Sequence, residues 1–248
     1  MPILTTALLI LAVFATSTLS GVFGMVGGMV LLWLLLLMMP VATAIAIQGV
    51  IQLVANGSRA YFARAFVEWK IVGFAMAGLG FAAAVLALVS YTPTLAVVSI
   101  AIGLMPILVW LPMRWAQLDA SRPGHAMLCG FISGALNIGV GVSGPVIDIF
   151  FVRTEHDRRQ IIATKATIQV LSHLAKIVFY SQSLWLLSKG ETAAVAIAAP
   201  FSVIGSIVGH RILLRLTNHG FRQGLRWLVT GVGAFYFVQG LYLLASTP

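Results

Sequence analysis

The sequence predicts an all-α, polytopic membrane protein, and three observations carry that prediction. Hydrophobic residues make up 60% of the 248-residue chain and charged residues only 8%, where a soluble domain holds about 25% charged residues. Mean hydropathy is +1.03. The apolar runs approach or exceed the ~20 residues that a membrane-spanning helix requires, and they are apolar all round, not alternating over ~10 residues as barrel strands do. With 6 acids against 15 Lys and Arg, the chain could not solvate a globule of this size. That excludes a water-soluble enzyme, a disordered chain and a nucleic-acid-binding domain. The pI of about 10.5 comes from bases placed between apolar runs, which is what the positive-inside bias of membrane proteins produces. One cysteine, Cys129, excludes an intrachain disulfide and a multi-cysteine metal site. The 5 histidines show no metal-ligand spacing, and no cofactor is expected.

Taken in chain order, the apolar runs predict helical segments over 3–20, 22–39, 41–62, 70–90, 93–113, 125–137, 139–152, 160–181, 192–211 and 222–246. No base precedes the first run at Ile3, so it does not read as a cleaved signal, and no soluble domain or long linker is expected. Trp69, Trp110, Trp115, Trp185, Tyr91 and Tyr242 fall near segment ends and read as interfacial belt residues. Residues 3–39 form one stretch interrupted at Gly21, Gly24, Gly27 and Gly28, and 125–152 form another, interrupted at Gly134, Gly139, Gly141 and Gly144. Each stretch is expected to return to its starting side, either as two crossings or as a re-entrant hairpin. Arg59, Arg64, Lys70, Arg114, Arg122, Arg153, Arg158, Arg159, Arg211, Arg215, Arg222 and Arg226 then share one side, with Lys189 opposite. That side is the cytoplasmic one, and both termini lie outside.

An internal repeat adds a second constraint. Ser20-Gly21-Val22-Phe23-Gly24-Met25-Val26-Gly27-Gly28 resembles Ser133-Gly134-Ala135-Leu136-Asn137-Ile138-Gly139-Val140-Gly141, and Gln52-Leu53-Val54-Ala55-Asn56-Gly57-Ser58-Arg59 resembles Gln169-Val170-Leu171-Ser172-His173-Leu174-Ala175-Lys176. The offset grows by about four residues between the two matches, which the charged loop Glu155–Arg159 can absorb. Two repeats result, 1–120 and 121–248, of about five helical segments each. An odd number of segments makes them inverted. Inverted repeats with glycine-broken helices are the architecture of many secondary transporters, whose substrate sites lie near the midplane at the breaks.

The two glycine blocks, Gly21-x-x-Gly24-x-x-Gly27-Gly28 and Gly134-x-x-x-x-Gly139-x-Gly141-x-x-Gly144-Pro145, resemble those of the TauE/SafE family of permeases for sulfite, organosulfonates and related sulfur anions. Length, segment count and duplication agree over nearly the whole chain. In this alignment Asn137 replaces the glycine matching Gly24, and Met29-Val30-Leu31 stands where a proline is expected. The resemblance implies a secondary transporter of a small sulfur-containing anion in a bacterial plasma membrane, working by alternating access and favouring export.

The candidate site follows from the polar groups. Unpaired N–H groups at half-helix N-termini attract anions, so Gly24, Gly27, Gly28, Gly139, Gly141 and Gly144 are expected to form two facing anion-binding ends. Asn137 and Ser143 are placed to donate to the anion's oxygens. Gln52 with Asn56, and Gln169 with His173, are i, i+4 pairs that each mark one helix face. Lys176 is an intramembrane base, costly and so a candidate to offset the anion's charge. Lys165 reads as a headgroup contact, Asp148 as a partner for a base, and His173 as a proton-coupling candidate. Gly21, Gly78, Gly205 and Gly209 read as close helix contacts, as small residues make in membranes. The rival readings are an intramembrane serine protease of rhomboid type, from Gly141-Val142-Ser143-Gly144, and a passive anion channel. The expected partners are the anion, the bilayer, a coupling proton or sodium ion, no nucleic acid, and a second copy if the chain forms a homodimer.

Overall fold

In a computed structural model of the chain, residues 3–24, 26–110 and 117–246 are described. The end of the segment expected over 93–113, with Arg114 and Trp115, lies outside the described residues, as do the side chains of His219 and Arg222. The described residues form helices and no strand: α1 (Ile3–Phe23), α2 (Val26–Leu36), α3 (Val41–Phe62), α4 (Trp69–Leu88), α5 (Leu95–Trp110), α6 (Pro123–Val140), α7 (Gly144–Phe151), α8 (Arg158–Phe179), α9 (Ser181–Trp185), α10 (Lys189–Leu213) and α11 (Asn218–Ala245). Helices α1, α3, α4, α8, α10 and most of α11 are long and apolar enough to cross a bilayer. Leu8, Leu11, Phe81, Leu88, Ile204 and Val238 stand exposed on the outside. This is a multi-pass membrane protein.

Local sequence sets the helix starts. Asp157 opens α8 with a capping box closed by Gln160, Ser188 opens α10 with one closed by Glu191, and Pro123 occupies the first turn of α6. The two glycine-rich stretches both prove to be a helix, a break and a half-helix. α2 has 11 residues and α7 has 8. At ~1.5 Å per residue they span about 16 and 12 Å, well short of the ~30 Å hydrocarbon core. Neither half-helix crosses a bilayer by itself, and the segments expected over 22–39 and 139–152 are shorter than their apolar runs.

Both breaks are made at a glycine with positive φ, Gly24 at 69° and Gly141 at 85°, a conformation that costs glycine nothing. They are 117 positions apart (141 − 24), and the same shift carries the bounds of α3, 41 and 62, onto those of α8, 158 and 179. On this shift Gly24 falls on Gly141, where the sequence alignment set it against Asn137, and Ser20 falls on Asn137. Glycine or another small residue recurs every three or four positions through these stretches, close to one helical turn, so a slip of four preserves the pattern.

Helices pair across the two stretches. α1 runs along α10 and α4 along α6, and glycines let the backbones touch. A Cβ at Gly21 would lie 2.6 Å from the Ser206 carbonyl oxygen, and one at Gly205 2.5 Å from that of Phe14. One at Gly78 or Gly130 would fall onto the backbone of Met127 or Ala75. Packing is thus the role of Gly21, Gly78, Gly205 and Gly209. α5 packs on α11 in the same way through Gly103, Gly233 and Gly240.

α3 packs on α8 and runs antiparallel to it. Gly49 faces His173, Lys176 and Ile177, whereas Glu68, just beyond the other end of α3, bonds to Gln160 and Thr164. The same end gathers further groups: Arg159 lies over the Phe66 ring, and the Ala120 amide donates to the Phe150 carbonyl. The interior divides into two apolar cores. One joins Ile71 and Val72 of α4, Ala126 and Cys129 of α6, Ile147 and Phe150 of α7 and Ile168 of α8. The other is built mainly on α1, α2, α3, α5, α10 and α11, with Val13, Leu32, Ile45, Ile102, Ala198 and Tyr236 buried in it, and takes in Leu79 of α4 and Ile138 of α6.

Candidate functional site

A cavity of about 190 Å³ lies between the two breaks and the α3–α8 pair. α3 lines it with Gln48, Gln52, Asn56 and Arg59, spaced by about one turn, and α8 lines it with Lys165, Gln169 and His173. The shift of 117 carries Gln48 onto Lys165, Gln52 onto Gln169 and Asn56 onto His173. It also carries Ser20 onto Asn137 and Gly24 onto Gly141, and all four of these residues are on the wall. Gly28, Val142, Ser143, Gly144, Asp148, Ile162 and Ala166 complete it.

The breaks hold their shape because their backbone groups are satisfied. A helix end leaves its last carbonyls without intrahelical donors, and at membrane depth each must find one inside the protein. At the end of α6, the Asn137 carbonyl accepts from the Gly141 amide at 3.1 Å, and Ile138 accepts from the Tyr180 hydroxyl at 2.8 Å. The Gly139 carbonyl accepts from the Tyr91 hydroxyl at 3.0 Å, and Gly141 from the Lys176 ammonium at 3.1 Å. Tyr91 is therefore a cap on the break, not a belt residue, and its partial burial pushes the phenol pKa up, keeping it a donor. At the first break the Gly24 amide donates to the Ser20 carbonyl at 2.9 Å. Close by, the Gln48 amide donates to the Gly28 carbonyl at 3.3 Å and the Tyr236 hydroxyl to the Met29 carbonyl at 3.0 Å.

The polar groups of the wall fall into two sets. Gln48 and Asn137 are fully engaged: Gln48 spans from the Gly28 carbonyl to Lys176, and Asn137 donates to Ser172 Oγ at 2.7 Å, approaches His173 Nδ1 at 3.5 Å and accepts from Lys176. Among the described residues, the side chains of Ser20, Gln52, Ser143 and Gln169 make no hydrogen bond, and the Asn56 carbonyl oxygen accepts none. Gln52 and Ser143 are only 8% and 6% exposed. These groups border the open space of the cavity, where a ligand or water can bond them. Two bases stand with them. Arg59 reaches Ser206 Oγ at 3.2 Å, and Lys165 is in direct contact with Asp148. With Asp148 ionised the wall carries one net positive charge, and moving Asp148 off Lys165 exposes a second.

Of the residues expected from sequence, Gly24, Gly28, Gln52, Asn56, Asn137, Gly141, Ser143, Gly144, Gln169 and His173 are brought to this one wall. Gly27, Gly139 and Lys176 are not on it. Gly27 lies against the Thr16 carbonyl and Ser20, where α2 folds back on α1 and leaves no room for a side chain. Gly139 packs under the Tyr91 ring. Lys176 is 0% exposed and sits behind the wall, its ammonium spent on three oxygens, so the bases facing the cavity are Arg59 and Lys165 instead. Lys165, expected at the headgroups, is a wall residue. Gln48 was not anticipated, although it extends the Gln52, Asn56 ladder by one turn. Ser143 and His173 share the wall, and no hydrogen bond joins them.

No curated protein and no solved structure matches the chain. A family model described as sulfite exporter TauE/SafE matches residues 9–236, a range that runs from α1 into α11 and includes both breaks and the whole cavity wall. The chain therefore belongs to the TauE/SafE sulfite exporter family, a family of membrane transporters of sulfur anions.

Proposed function

We propose that the protein is a secondary carrier of a small sulfur-containing anion, sulfite or an organosulfonate, which it exports across a bacterial plasma membrane by alternating access about this cavity. The observation that carries the proposal is the composition of the wall: shift-equivalent residues from the two sequence halves enclose one small space holding two bases and a set of unengaged amides and hydroxyls. A water occupies about 30 Å³ of liquid, so the space takes an oxyanion of a few atoms with some of its hydration. The halves, 1–120 and 121–248, are inverted repeats in this reading; the constant shift between their breaks and the antiparallel run of α3 against α8 support it. Substrate sites at such breaks lie near the midplane of the bilayer.

Gln52, Gln169 and Ser143 donate to the anion's oxygens, and the N-terminal ends of α2 and α7 add partial positive charge. Arg59 and Lys165 offset its formal charge. In the empty carrier Asp148 occupies Lys165, and an incoming sulfonyl oxygen takes its place. The basic ends at Arg64, Lys70, Arg122 and Arg153–Arg159 are cytoplasmic, and both termini are outside. Export then runs down the membrane potential, worth about 2.3 kcal/mol per charge per 100 mV; uptake would need coupling to a proton, with His173 on the wall to carry it, or to sodium. A homodimer is compatible with the exposed apolar surface.

Purified protein in proteoliposomes tests this with sulfite, thiosulfate, sulfoacetate, taurine and acetate. Saturable flux of a sulfur anion is expected. Lys165→Met and Arg59→Met should each lower kcat/KM about 10- to 100-fold, since a hydrogen bond to a charged group is worth about 1.5–3 kcal/mol. A preference for carboxylates or cations, conductance that does not saturate, or full flux in both variants would refute the proposal.

A further inference from the structure

Among the described residues no carboxylate pairs with Lys176. Its Nζ is held instead by three neutral oxygens: Gln48 Oε1 at 2.5 Å, Asn137 Oδ1 at 3.1 Å and the Gly141 carbonyl at 3.1 Å. Their orientations are fixed by their other partners. The Gly28 carbonyl can only accept, so Gln48 turns its NH2 there and its oxygen to Lys176. Gly141 O is backbone at a left-handed turn. An ammonium has three donors and no acceptor, which matches three acceptors; an amine would leave one of them unmet.

The three oxygens come from α3, α6 and the break. The arrangement is that of a monovalent cation held by side-chain oxygens and the carbonyl of an unwound helix end, as coupling ions are held at broken helices in carriers. We propose that the Lys176 ammonium is a tethered cation filling a three-oxygen cation site, and that removal of its side chain turns this place into a binding site for free sodium or ammonium ion. The ammonium also joins the two breaks, through Gln48 to Gly28 on one side and directly to Gly141 on the other. The wild-type protein carries its own cation there and needs no dissolved one. This goes beyond the anion-carrier reading and does not depend on it, because the readout is stability, not flux.

The experiment is thermal unfolding of purified Lys176→Ala in sodium, potassium, ammonium or choline chloride at equal ionic strength. The variant should unfold early in choline, and its Tm should rise saturably with sodium or ammonium; wild type should show no difference among the salts. Lys176→Met fills the same volume with an apolar chain and should be destabilised in every salt alike. A Tm for Lys176→Ala equal in choline and in all three small cations would overturn the proposal, as would a Lys176→Met protein as stable as wild type. Should Lys176→Ala be lost on extraction in choline, its recovery in ammonium chloride supports the proposal, and loss in every salt overturns it.

Discussion

Replacing each left-handed glycine by alanine separates the backbone strain of a break from its packing. Gly24 and Gly141 share the conformation, with φ of 69° and 85°. Their surroundings differ. A Cβ at Gly24 meets nothing within 4 Å, whereas one at Gly141 would lie 2.8 Å from Leu32 Cδ2 and 3.4 Å from Ile45 Cγ1. Both of those side chains are fully buried at 0% exposure, so neither can swing out. The left-handed region costs an L-residue about 1–2 kcal/mol, and an extra methyl in a packed core about 1–3 more. Gly24→Ala should therefore lose about 1–2 kcal/mol and Gly141→Ala about 2–5. At about 2–4 °C per kcal/mol for a chain of this length, the Tm falls by roughly 2–8 °C in the first and roughly 4–20 °C in the second. Gly57→Ala is the control, since it sits within α3 with nothing near its Cβ and should be neutral or slightly stabilising. A thiol-reactive dye reads unfolding directly, because Cys129 is the single cysteine and is buried. An equal loss at the two glycines, or a greater one at Gly24, would refute the reasoning.

Two further outcomes are expected. Asp148→Asn removes the carboxylate that competes for Lys165; a partly exposed ion pair is worth about 0.2–1 kcal/mol, so sulfite should bind up to about 5-fold tighter by calorimetry, and weaker or unchanged binding would count against the exchange. Tyr180→Phe leaves the buried Ile138 carbonyl without its donor, which should cost about 1–3 kcal/mol; an unchanged Tm would show that the carbonyl is satisfied some other way.

Much of this molecule is legible in the chain, because lipid permits few solutions. α3 falls on its apolar run residue for residue, and the glycine blocks mark the breaks. The polar ladder Gln52, Asn56, Gln169, His173 marks the wall, since amides at four-residue spacing in an apolar helix must share one sheltered face. What stayed hidden lies in contacts between distant segments. Lys176 looks like a substrate base in sequence because its three oxygens belong to residues 35 to 128 positions away. Asp148 reads as a partner for a base, and it pairs with Lys165; Lys165 itself reads as a headgroup contact, because sequence does not show that α7 is short and leaves Asp148 beside the cavity. The four-residue slip in the repeat had the same root: small residues recur once per turn, and only the positive φ at Gly24 and Gly141 fixes the register.

Backbones that touch with no side chain between them cannot slide apart without tearing both surfaces. α1 is welded to α10 at Gly21, Gly205 and Gly209, and α4 to α6 at Gly78 and Gly130. Each weld takes one helix from either side of residue 120, so the two sequence halves are packed into one another. The pairs are interlaced further by the cores: α4, α6, α7 and α8 share one, and Leu79 of α4 and Ile138 of α6 also enter the other, beside α1 and α10. A cut between α5 and α6 would therefore part the partners of both welds, and neither fragment would keep these contacts alone.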